Sequence, residues 1–167
     1  AITGRKLRVP YSVVRNPRAY RPEGPEAADS VKDKQRSISI KIDDKALCPR
    51  YTGRVITGVK IGGSPEWLKK KLEAMGLKSV NNVVDITNFC LFETGEPMHA
   101  FDLDKIKGDV TVRRAKKSGK IVTIDGVERT LDGSMLVIAD SQEAIAVAGV
   151  MGGLSTEVTA STKNILL

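Results

Sequence analysis

Hydrophobic and polar residues alternate along several short stretches of the chain, and this period of two predicts β-strands. The first stretch is Ser37–Ile42, where three isoleucines alternate with two serines and a lysine. A second strand is expected within Arg54–Ile61. The stretches that predict further strands are Val110–Arg114, Lys120–Ile124, Val127–Leu131, Leu136–Ala139 and Ala144–Val150. Asp125-Gly126 predicts a tight hairpin turn between two of these strands.

Between the early and the late strands the pattern changes to the period of a helix. Ser64 is a good N-cap, and Pro65 suits the first helical position. Gly76 is the residue expected to close the helix. The stripe expected to face the core consists of Trp67, Leu68, Leu72 and Met75.

A second helix is predicted from Asn82 to about Glu93, because Gly95 and Pro97 stop the pattern there. Its apolar residues lie nearly all the way round, so we expect this helix to be deeply buried. Polar side chains on a buried helix need hydrogen-bond partners. Three such side chains are Asp85, Thr87 and Asn88.

The elements come in the order of a strand pair, two helices and a run of strands. This order predicts an α+β fold with mixed or antiparallel sheets packed against a few helices. Residues 1–36 are expected to form a connector, because X-Pro pairs interrupt any regular element there. The predicted folded domain is residues 37–167. Its apolar runs are far too short to cross a bilayer, so we expect no membrane contact.

Charge is distributed unevenly along the chain. Residues 1–50 hold 12 Lys and Arg against 6 Asp and Glu, whereas residues 51–167 hold 15 against 14. A basic arm beside a near-neutral body is consistent with contact to nucleic acid or to an acidic protein surface. A solubilising linker has the same composition, so charge alone leaves both interpretations open.

The chain contains two cysteines, Cys48 and Cys90, and one histidine, His99. It therefore lacks the cysteine density of a secreted disulfide framework and the Cys or His pairs of a zinc site. We expect a reducing, cytoplasmic compartment and no metal site. The absence of a GxSxG motif argues against a serine hydrolase.

The stretch richest in residues suited to chemistry is Asn81–Asp102. It places Thr87 and Asn88 on the second helix and delivers Pro97 and His99 from the following loop, which together predict a small polar pocket. A histidine there is suited to orient water or to hold a substrate group near its neutral form. The competing interpretation, which the residues alone favour, is a histidine that only satisfies a hydrogen bond in the core.

A glycine cluster, Gly149–Gly153, follows the last predicted strand. Glycines there permit tight turns or the close approach of a ligand to backbone N–H groups. No Lys-Ser or Lys-Thr follows the cluster and GxGxxG is absent, so it is not a phosphate-binding loop. Taken alone, the cluster predicts an ordinary turn at the end of a strand.

These stretches together resemble the beta subunit of bacterial phenylalanine–tRNA ligase. The resemblance covers residues 46–167 at consistent spacing and residues 1–45 more loosely. It is carried by Cys48–Tyr51, Ser64–Trp67, Asn81–Phe89, Pro97–Asp102, Leu131–Asp140, Ala148–Gly153 and Asn164–Leu167. The matching region of the family is the central editing domain. The resemblance therefore implies that residues 37–167 are a tRNA-editing domain, which hydrolyses tyrosine wrongly esterified to tRNA(Phe).

The resemblance also implies roles for individual residues. His99 would be the catalytic residue, placing the ester or the attacking water. Thr87 and Asn88 would bind the substrate through hydrogen bonds. Pro97 belongs to the same loop as His99, and Gly152 would supply backbone at the floor of the pocket. Hydrolysis of this kind needs no nucleophilic serine or cysteine.

In the family, a glutamate directly after the Asn-(Val/Ile)-Leu-Leu run recognises the tyrosyl hydroxyl, and a further pocket threonine lies downstream. The sequence stops at Leu167, one residue before that glutamate, so we expect residues 37–167 to fold but to be catalytically incomplete at their C-terminus. The implied partners are tyrosine-mischarged tRNA(Phe) and the alpha subunit, in a heterotetramer of two alpha and two beta chains. Because activation takes place on the alpha subunit, ATP and magnesium are implied for the whole enzyme and no cofactor for this fragment.

Two other functions stay open at this point. A standalone protein would hydrolyse aminoacyl-tRNA in trans, although the connector and the abrupt ends of the sequence argue against it. A non-catalytic module for tRNA binding or subunit packing is favoured if the pocket lacks its glutamate. Such a module would lose tRNA affinity steeply as salt increases.

Overall fold

A computed structural model of the protein describes residues 38–167. The connector predicted for residues 1–36 lies outside the described residues. The helices are α1 (Glu66–Ala74) and α2 (Asn82–Thr94). The strands are β1 (Ile40–Ile42), β2 (Val55–Ile56), β3 (Phe101–Asp102), β4 (Val110–Arg114), β5 (Gly119–Val122), β6 (Glu128–Leu131), β7 (Leu136–Ala139), β8 (Ala144–Val147), β9 (Met151–Gly152) and β10 (Ile165–Leu166). Short 3-10 turns lie at Leu103–Lys105 and Leu154–Thr156.

The described strands form three sheets. The largest has the order β1-β4-β7-β8-β9, in which β1 pairs parallel to β4 and the other pairs are antiparallel. The second sheet is antiparallel with the order β2-β10-β3, and the third is the β5–β6 hairpin. The predicted α+β class with mixed and antiparallel sheets is confirmed.

Three apolar clusters stabilise these sheets. The largest lies around Phe101, Val110 and Ile145 and is completed by the isoleucines of β1. A second cluster joins the β5–β6 hairpin to β7 and is built on the side chains of those strands and of Ala115. The third links α2 to β10, because Val83 packs against a group that includes Ile165. This third cluster fixes the helix beside the chain that follows His99.

Most predicted strands are present, but their lengths differ from the prediction. Only Val55–Ile56 of the stretch predicted at 54–61 forms a strand. The strand predicted at 144–150 ends at Val147, because Val150 N–H donates to Val147 and Gly149 adopts a φ of 70° in a turn. The hairpin predicted at Asp125-Gly126 is confirmed, with Gly126 at a φ of 77°.

The start of α1 differs from the prediction. The helix begins at Glu66, and Pro65 occupies the capping position, where its carbonyl accepts from the Leu68 amide at 3.0 Å. Ser64 is not the cap. Its hydroxyl instead donates to the carboxylate of Asp85 at 2.5 Å, a partner that only the tertiary structure provides.

The two helices bury less of their apolar surface than the sequence predicts. On α1, Leu68 and Leu72 are buried as expected, but Trp67 is 56% exposed and Met75 is 38% exposed. The prediction that α2 is deeply buried is wrong, because its residues Ile86 and Phe92 are about half exposed. The helices pack mainly against each other, so the apolar residues on their outer faces lack a covering element within residues 38–167. None of the helices among these residues is long and apolar enough to span a bilayer.

Candidate functional site

His99 lies in the loop between α2 and β3, and its side chain is largely withdrawn from solvent. Its ring meets the ring of Phe101 edge to face, with 4.5 Å between the ring centroids and 69° between the ring planes. Phe101 is itself fully buried in the main core. The imidazole therefore packs against a fully buried aromatic ring.

The strand β9 also approaches this imidazole. A β-carbon added to Gly152 would lie 2.6 Å from Nε2 of His99 and closer still to Cε1. Distances below 3.0 Å do not occur for real β-carbons, so no other residue fits at position 152 unless the ring moves. The structure thus brings together two of the predicted site residues that are far apart in the sequence.

Burial lowers the pKa of His99 below its ordinary value of 6.5, because the charged ring loses water. No hydrogen bond joins a ring nitrogen of His99 to any other residue of 38–167. The interpretation of His99 as a core histidine with a satisfied hydrogen bond is therefore not supported within these residues. The ring is a neutral imidazole near pH 7 and offers one donor and one acceptor nitrogen.

The helix α2 carries the other polar candidates. Asn81 caps its start by accepting from the amides of Val83 and Val84 at 3.1 and 3.0 Å. Thr87 is buried, and its hydroxyl donates to the carbonyl of Val84 at 2.7 Å. Asn88 is half-buried, and its side chain has no hydrogen bond to another described residue. The Asn88 amide is thus the freer of the two groups to meet a ligand.

Asp85 anchors this helix, a role that the sequence indicated only as a need for partners. The carboxylate is fully buried and accepts from the hydroxyls of Ser64 and Ser79, each at 2.5 Å, and from the Val80 amide at 2.9 Å. Burial acts to raise the pKa of Asp85, but these hydrogen bonds together hold it below its ordinary value of 3.8. The anchored segments are the start of α1 and the loop that leads into α2.

A second buried carboxylate fixes the strand after His99. Asp102 accepts from the hydroxyl of Thr162 at 2.7 Å, and the Leu103 amide donates to the carbonyl of Asn164 at 3.0 Å. Through these bonds β10 and the residues before it position the His99 loop. The sequence did not predict β10, because a two-residue strand shows no alternation.

The five predicted site residues are thus only partly brought together. His99 and Gly152 are in direct contact. Within the described part of the chain, no hydrogen bond or ring contact joins Thr87, Asn88 or the exposed Pro97 to His99. Among residues 38–167, no three His, Cys, Asp or Glu side chains are grouped so as to hold a metal ion.

Comparison with known proteins identifies the family of the chain. Residues 47–167 match the family described as the B3/4 domain. The chain is 51% identical to the phenylalanine–tRNA ligase beta subunit of Fusobacterium nucleatum, over 85% of this chain and 18% of that protein. For the beta subunit of Moorella thermoacetica the identity is 48%, over 100% of this chain and 19% of that protein.

A relative from Aquifex aeolicus with the same name is 54% identical over 77% of this chain and 16% of its own length. The chain belongs to the family of phenylalanine–tRNA ligase beta subunits, and it spans less than a fifth of the length of these relatives. A solved N-terminal fragment of the phenylalanyl-tRNA synthetase beta subunit from Pyrococcus horikoshii has a TM-score of 0.57. It shares 16% identity over 78% of this chain and 42% of its own, so it is similar in fold.

Proposed function

We propose that this domain edits aminoacyl-tRNA within a phenylalanine–tRNA ligase, by hydrolysing tyrosine from mischarged Tyr-tRNA(Phe). The observation that carries the proposal is the contact between His99 and the backbone of Gly152. In this contact a neutral imidazole lies close to the backbone of a glycine. The family resemblance assigns both residues to the editing pocket. The names of the relatives supply the enzyme in which such a pocket would act.

Physical chemistry explains why such an enzyme needs a second site. A pocket that accepts phenylalanine cannot strongly reject a side chain that only adds a hydroxyl. A site that hydrogen-bonds the tyrosyl hydroxyl does discriminate, because a phenylalanine ester would leave its buried polar groups unpaired. Selective hydrolysis of the tyrosine ester therefore compensates for the weak rejection of tyrosine in the aminoacylation step.

The reaction consists of attack by water on the ester carbonyl carbon. The bond between that carbon and the ribose oxygen breaks, the ribose oxygen takes up a proton, and tyrosine leaves as the free acid. One nitrogen of the neutral His99 ring accepts a hydrogen bond from the water, and the other can donate to the ester. No covalent intermediate with the protein is required.

The helix α2 would hold the aminoacyl group. The hydroxyl of Thr87 already donates its proton to Val84, so it can only accept a hydrogen bond from the substrate. The Asn88 amide can both donate and accept. We therefore assign Asn88 the larger share of substrate binding on this helix, with Pro97 shaping the entrance to the pocket.

The remaining partners belong to the complete enzyme. An alpha subunit would carry out amino-acid activation with ATP and magnesium, and the two kinds of chain would form a heterotetramer. In this proposal the present domain receives the 3′ end of the tRNA only after aminoacylation. Its own chemistry uses water and the side chains described above.

The test is hydrolysis of Tyr-tRNA(Phe) by the complete enzyme carrying His99→Ala. We expect deacylation to fall by about 100-fold or more, the typical contribution of a positioned acid or base, while aminoacylation with phenylalanine is unchanged. Unfolding should stay cooperative. An unchanged deacylation rate, or a variant that no longer unfolds cooperatively, would contradict the proposed role.

A second measurement compares residues 1–167 with a version extended past Leu167 by the residues that follow in the full protein. If only the extended version hydrolyses Tyr-tRNA and spares Phe-tRNA, the glutamate expected after Leu167 is essential. If the complete enzyme does not hydrolyse Tyr-tRNA either, the domain is a binding or packing module and the proposal fails.

A further inference from the structure

A cavity of about 170 Å³ lies at the far end of β5 from the His99–Gly152 contact. Ala115 and Leu131, which are both buried, form part of its apolar floor. Three cationic side chains line it: Arg113, Lys116 and Lys120. We propose that this basic cavity binds a backbone phosphate of the tRNA whose 3′ end reaches His99, and this inference rests on the proposed editing function.

The cations of the basic cavity are largely free to meet an anion. No carboxylate within residues 38–167 lies within 4 Å of the Arg113 guanidinium, which donates to the carbonyl of Arg114 at 3.0 Å. Lys116 likewise forms no ion pair in the described part of the chain, whereas Lys120 pairs with Glu128 at 2.7 Å. One carboxylate, that of Glu143, also lines the cavity, and with the Glu128 partner of Lys120 counted as well, three cations stand against two carboxylates, an excess of one positive charge.

The turn between β4 and β5 fixes two of these lysines on either side of a tight bend. The Gly119 amide donates to the carbonyl of Lys116 at 3.0 Å, and Ser118 adopts a φ of 62°. A left-handed conformation is uncommon for a residue other than glycine. The backbone that carries Lys116 and Lys120 on the two sides of this turn is thus held in place, so binding a phosphate orders only the side chains.

The chain itself connects the basic cavity to the candidate active site. Directly after β5, Thr123 bridges to Gly153, and the Ile124 amide, in the hairpin turn, donates to the carbonyl of Gly152 at 3.1 Å. At about 3.3 Å per residue, Lys120 and Thr123 are about 10 Å apart along the strand. A stacked nucleic-acid strand carries one phosphate every ~3.4 Å along its axis, so this distance spans no more than about four nucleotides.

The position of the cavity, close along the chain to the candidate active site, is the reason for assigning it to RNA rather than to a free anion. A tRNA end with its ester bond at His99 would bring a phosphate near the basic cavity within its last few nucleotides. A phosphate contact of this kind fixes register and adds affinity without sequence preference. It would hold any aminoacylated tRNA end in place while the pocket near His99 tests the side chain.

The experiment uses the complete protein with the double substitution Arg113→Gln and Lys116→Gln. The affinity for tRNA(Phe) is measured over a range of salt concentrations, together with kcat and KM for Tyr-tRNA deacylation. We expect the slope of log affinity against log salt to flatten by roughly 0.7–0.9 for each phosphate that the variant no longer neutralises. KM should rise several-fold while kcat changes by less than twofold.

Lys78→Gln is the matched control, because Lys78 is exposed in the loop between the helices and does not line the cavity. It should change neither the salt slope nor KM. If the double variant keeps the wild-type slope and KM while the wild type deacylates Tyr-tRNA, the cavity inference is wrong and the editing proposal stands. If the wild type does not deacylate, editing fails, and the salt slope alone still decides whether the cavity binds RNA.

Competition with inorganic phosphate distinguishes binding of an RNA backbone phosphate from binding of a free phosphate ion. We expect millimolar phosphate to weaken tRNA binding by the wild type more than by the double variant, at constant ionic strength. If the substitutions remove binding of inorganic phosphate but leave tRNA affinity unchanged, the cavity is a site for a small anion. That outcome overturns the assignment to RNA.

Discussion

The helical pair and the contact between His99 and Gly152 are held by different kinds of interaction. In the helical pair a carboxylate, Asp85, is fully buried, while Trp67 on the outside is 56% exposed. Trp67 meets Phe89 edge to face at 5.8 Å between centroids, and the Lys71 ammonium lies 5.0 Å from the Phe89 ring. The His99 ring instead packs against the buried ring of Phe101 and the backbone of Gly152, while a second buried carboxylate, Asp102, holds the strand that follows.

This difference shows that two kinds of interaction hold the two halves of the candidate site. Thr87 and Asn88 depend on a polar anchor, since Asp85 fixes the start of their helix through three hydrogen bonds. His99 and Gly152 depend on close packing that leaves no space for a β-carbon. Substitutions in the two halves should therefore destabilise the domain for different reasons, through lost hydrogen bonds in one half and through overpacking in the other.

The largest effect is expected for Asp85→Ala, which breaks the polar anchor. The hydroxyls of Ser64 and Ser79 and the Val80 amide would lose their acceptor; a buried donor without a partner, here the Ser64 hydroxyl, costs about 1–3 kcal/mol, and the two more exposed donors cost less. Since the hydroxyls can rotate, we expect the free energy of unfolding to fall by about 3 kcal/mol in urea titrations.

Asp132→Ala is the control for this prediction. Asp132 also accepts from a serine hydroxyl and a backbone amide, those of Ser134, but it is exposed. Its removal should cost less than about 1 kcal/mol, because water replaces the acceptor. Equal decreases in stability for the two variants would show that burial of Asp85 contributes nothing special.

A somewhat smaller decrease in stability is expected for Gly152→Ala, which disrupts the close packing of the His99 ring against position 152. The added methyl group must displace the His99 ring, and overpacking of this kind costs about 1–3 kcal/mol. Deacylation of Tyr-tRNA by the complete enzyme should be abolished. The stability and the deacylation rate are both compared with those of the control variant Gly63→Ala, since nothing lies within 4 Å of a β-carbon at that position.

The double variant His99→Ala with Gly152→Ala sharpens this test. Removing the ring relieves the overlap, so the double variant should be more stable than Gly152→Ala alone while remaining inactive. Additive decreases in stability would mean that the ring and the new methyl group do not meet.

The next effect concerns pH and the burial of His99. Its pKa is lowered in the folded state, so below pH 6.5 the unfolded chain takes up a proton before the folded chain does. Stability should therefore fall as pH drops from 6.5 towards the lowered pKa, by at most about 1.4 kcal/mol per pH unit. Above pH 6.5 this group should have no effect.

Urea unfolding of the wild type and of His99→Asn between pH 8 and pH 5 measures this contribution as a difference. The asparagine variant should lose less stability than the wild type over the acidic part of the range. Parallel curves would mean that the imidazole is as well hydrated in the folded as in the unfolded chain.

The smallest effect is expected for Trp67→Ala on the outer face of the helical pair. An exposed aromatic pair with a nearby lysine is worth about 1 kcal/mol or less. Its neighbour Leu68 is 1% exposed, and Leu68→Ala should cost about 2–5 kcal/mol. Thermal or urea unfolding of the two variants gives the comparison, and similar decreases would indicate that Trp67 is covered in solution.

Local pattern predicted the elements whose own residues determine them. The strand β7 lies at Leu136–Ala139 as predicted, and the Asp125-Gly126 hairpin needs only its two turn residues. The pairing of β1 with β4 and the strand β10 depend on partners distant in sequence, so no local pattern indicates them. Trp67 and Met75 were assigned to the core because helical periodicity does not reveal which apolar face remains uncovered.

The candidate site also contains features that the sequence indicates and features that depend on partners distant in sequence. The pattern of polar residues indicated His99, Thr87 and Asn88, the family resemblance added their roles and Gly152, and the contact between His99 and Gly152 gives two of these residues a common location. The acceptor role of Asp85 was indicated by its burial on a helix, but its partners Ser64 and Ser79 were not. Hydrogen-bond partners from other segments become visible only once the chain is folded.

The place of β10 in its sheet has a consequence for the timing of assembly. This strand lies between β2 and β3 but is synthesised after both of them. At a translation rate of about 5–20 residues per second, β3 waits several seconds for the neighbour that fixes the loop of His99. All five strands of the large sheet precede β10 in the chain, so that sheet can pair before the loop of His99 is fixed, and His99 is among the last groups of the domain to reach its place.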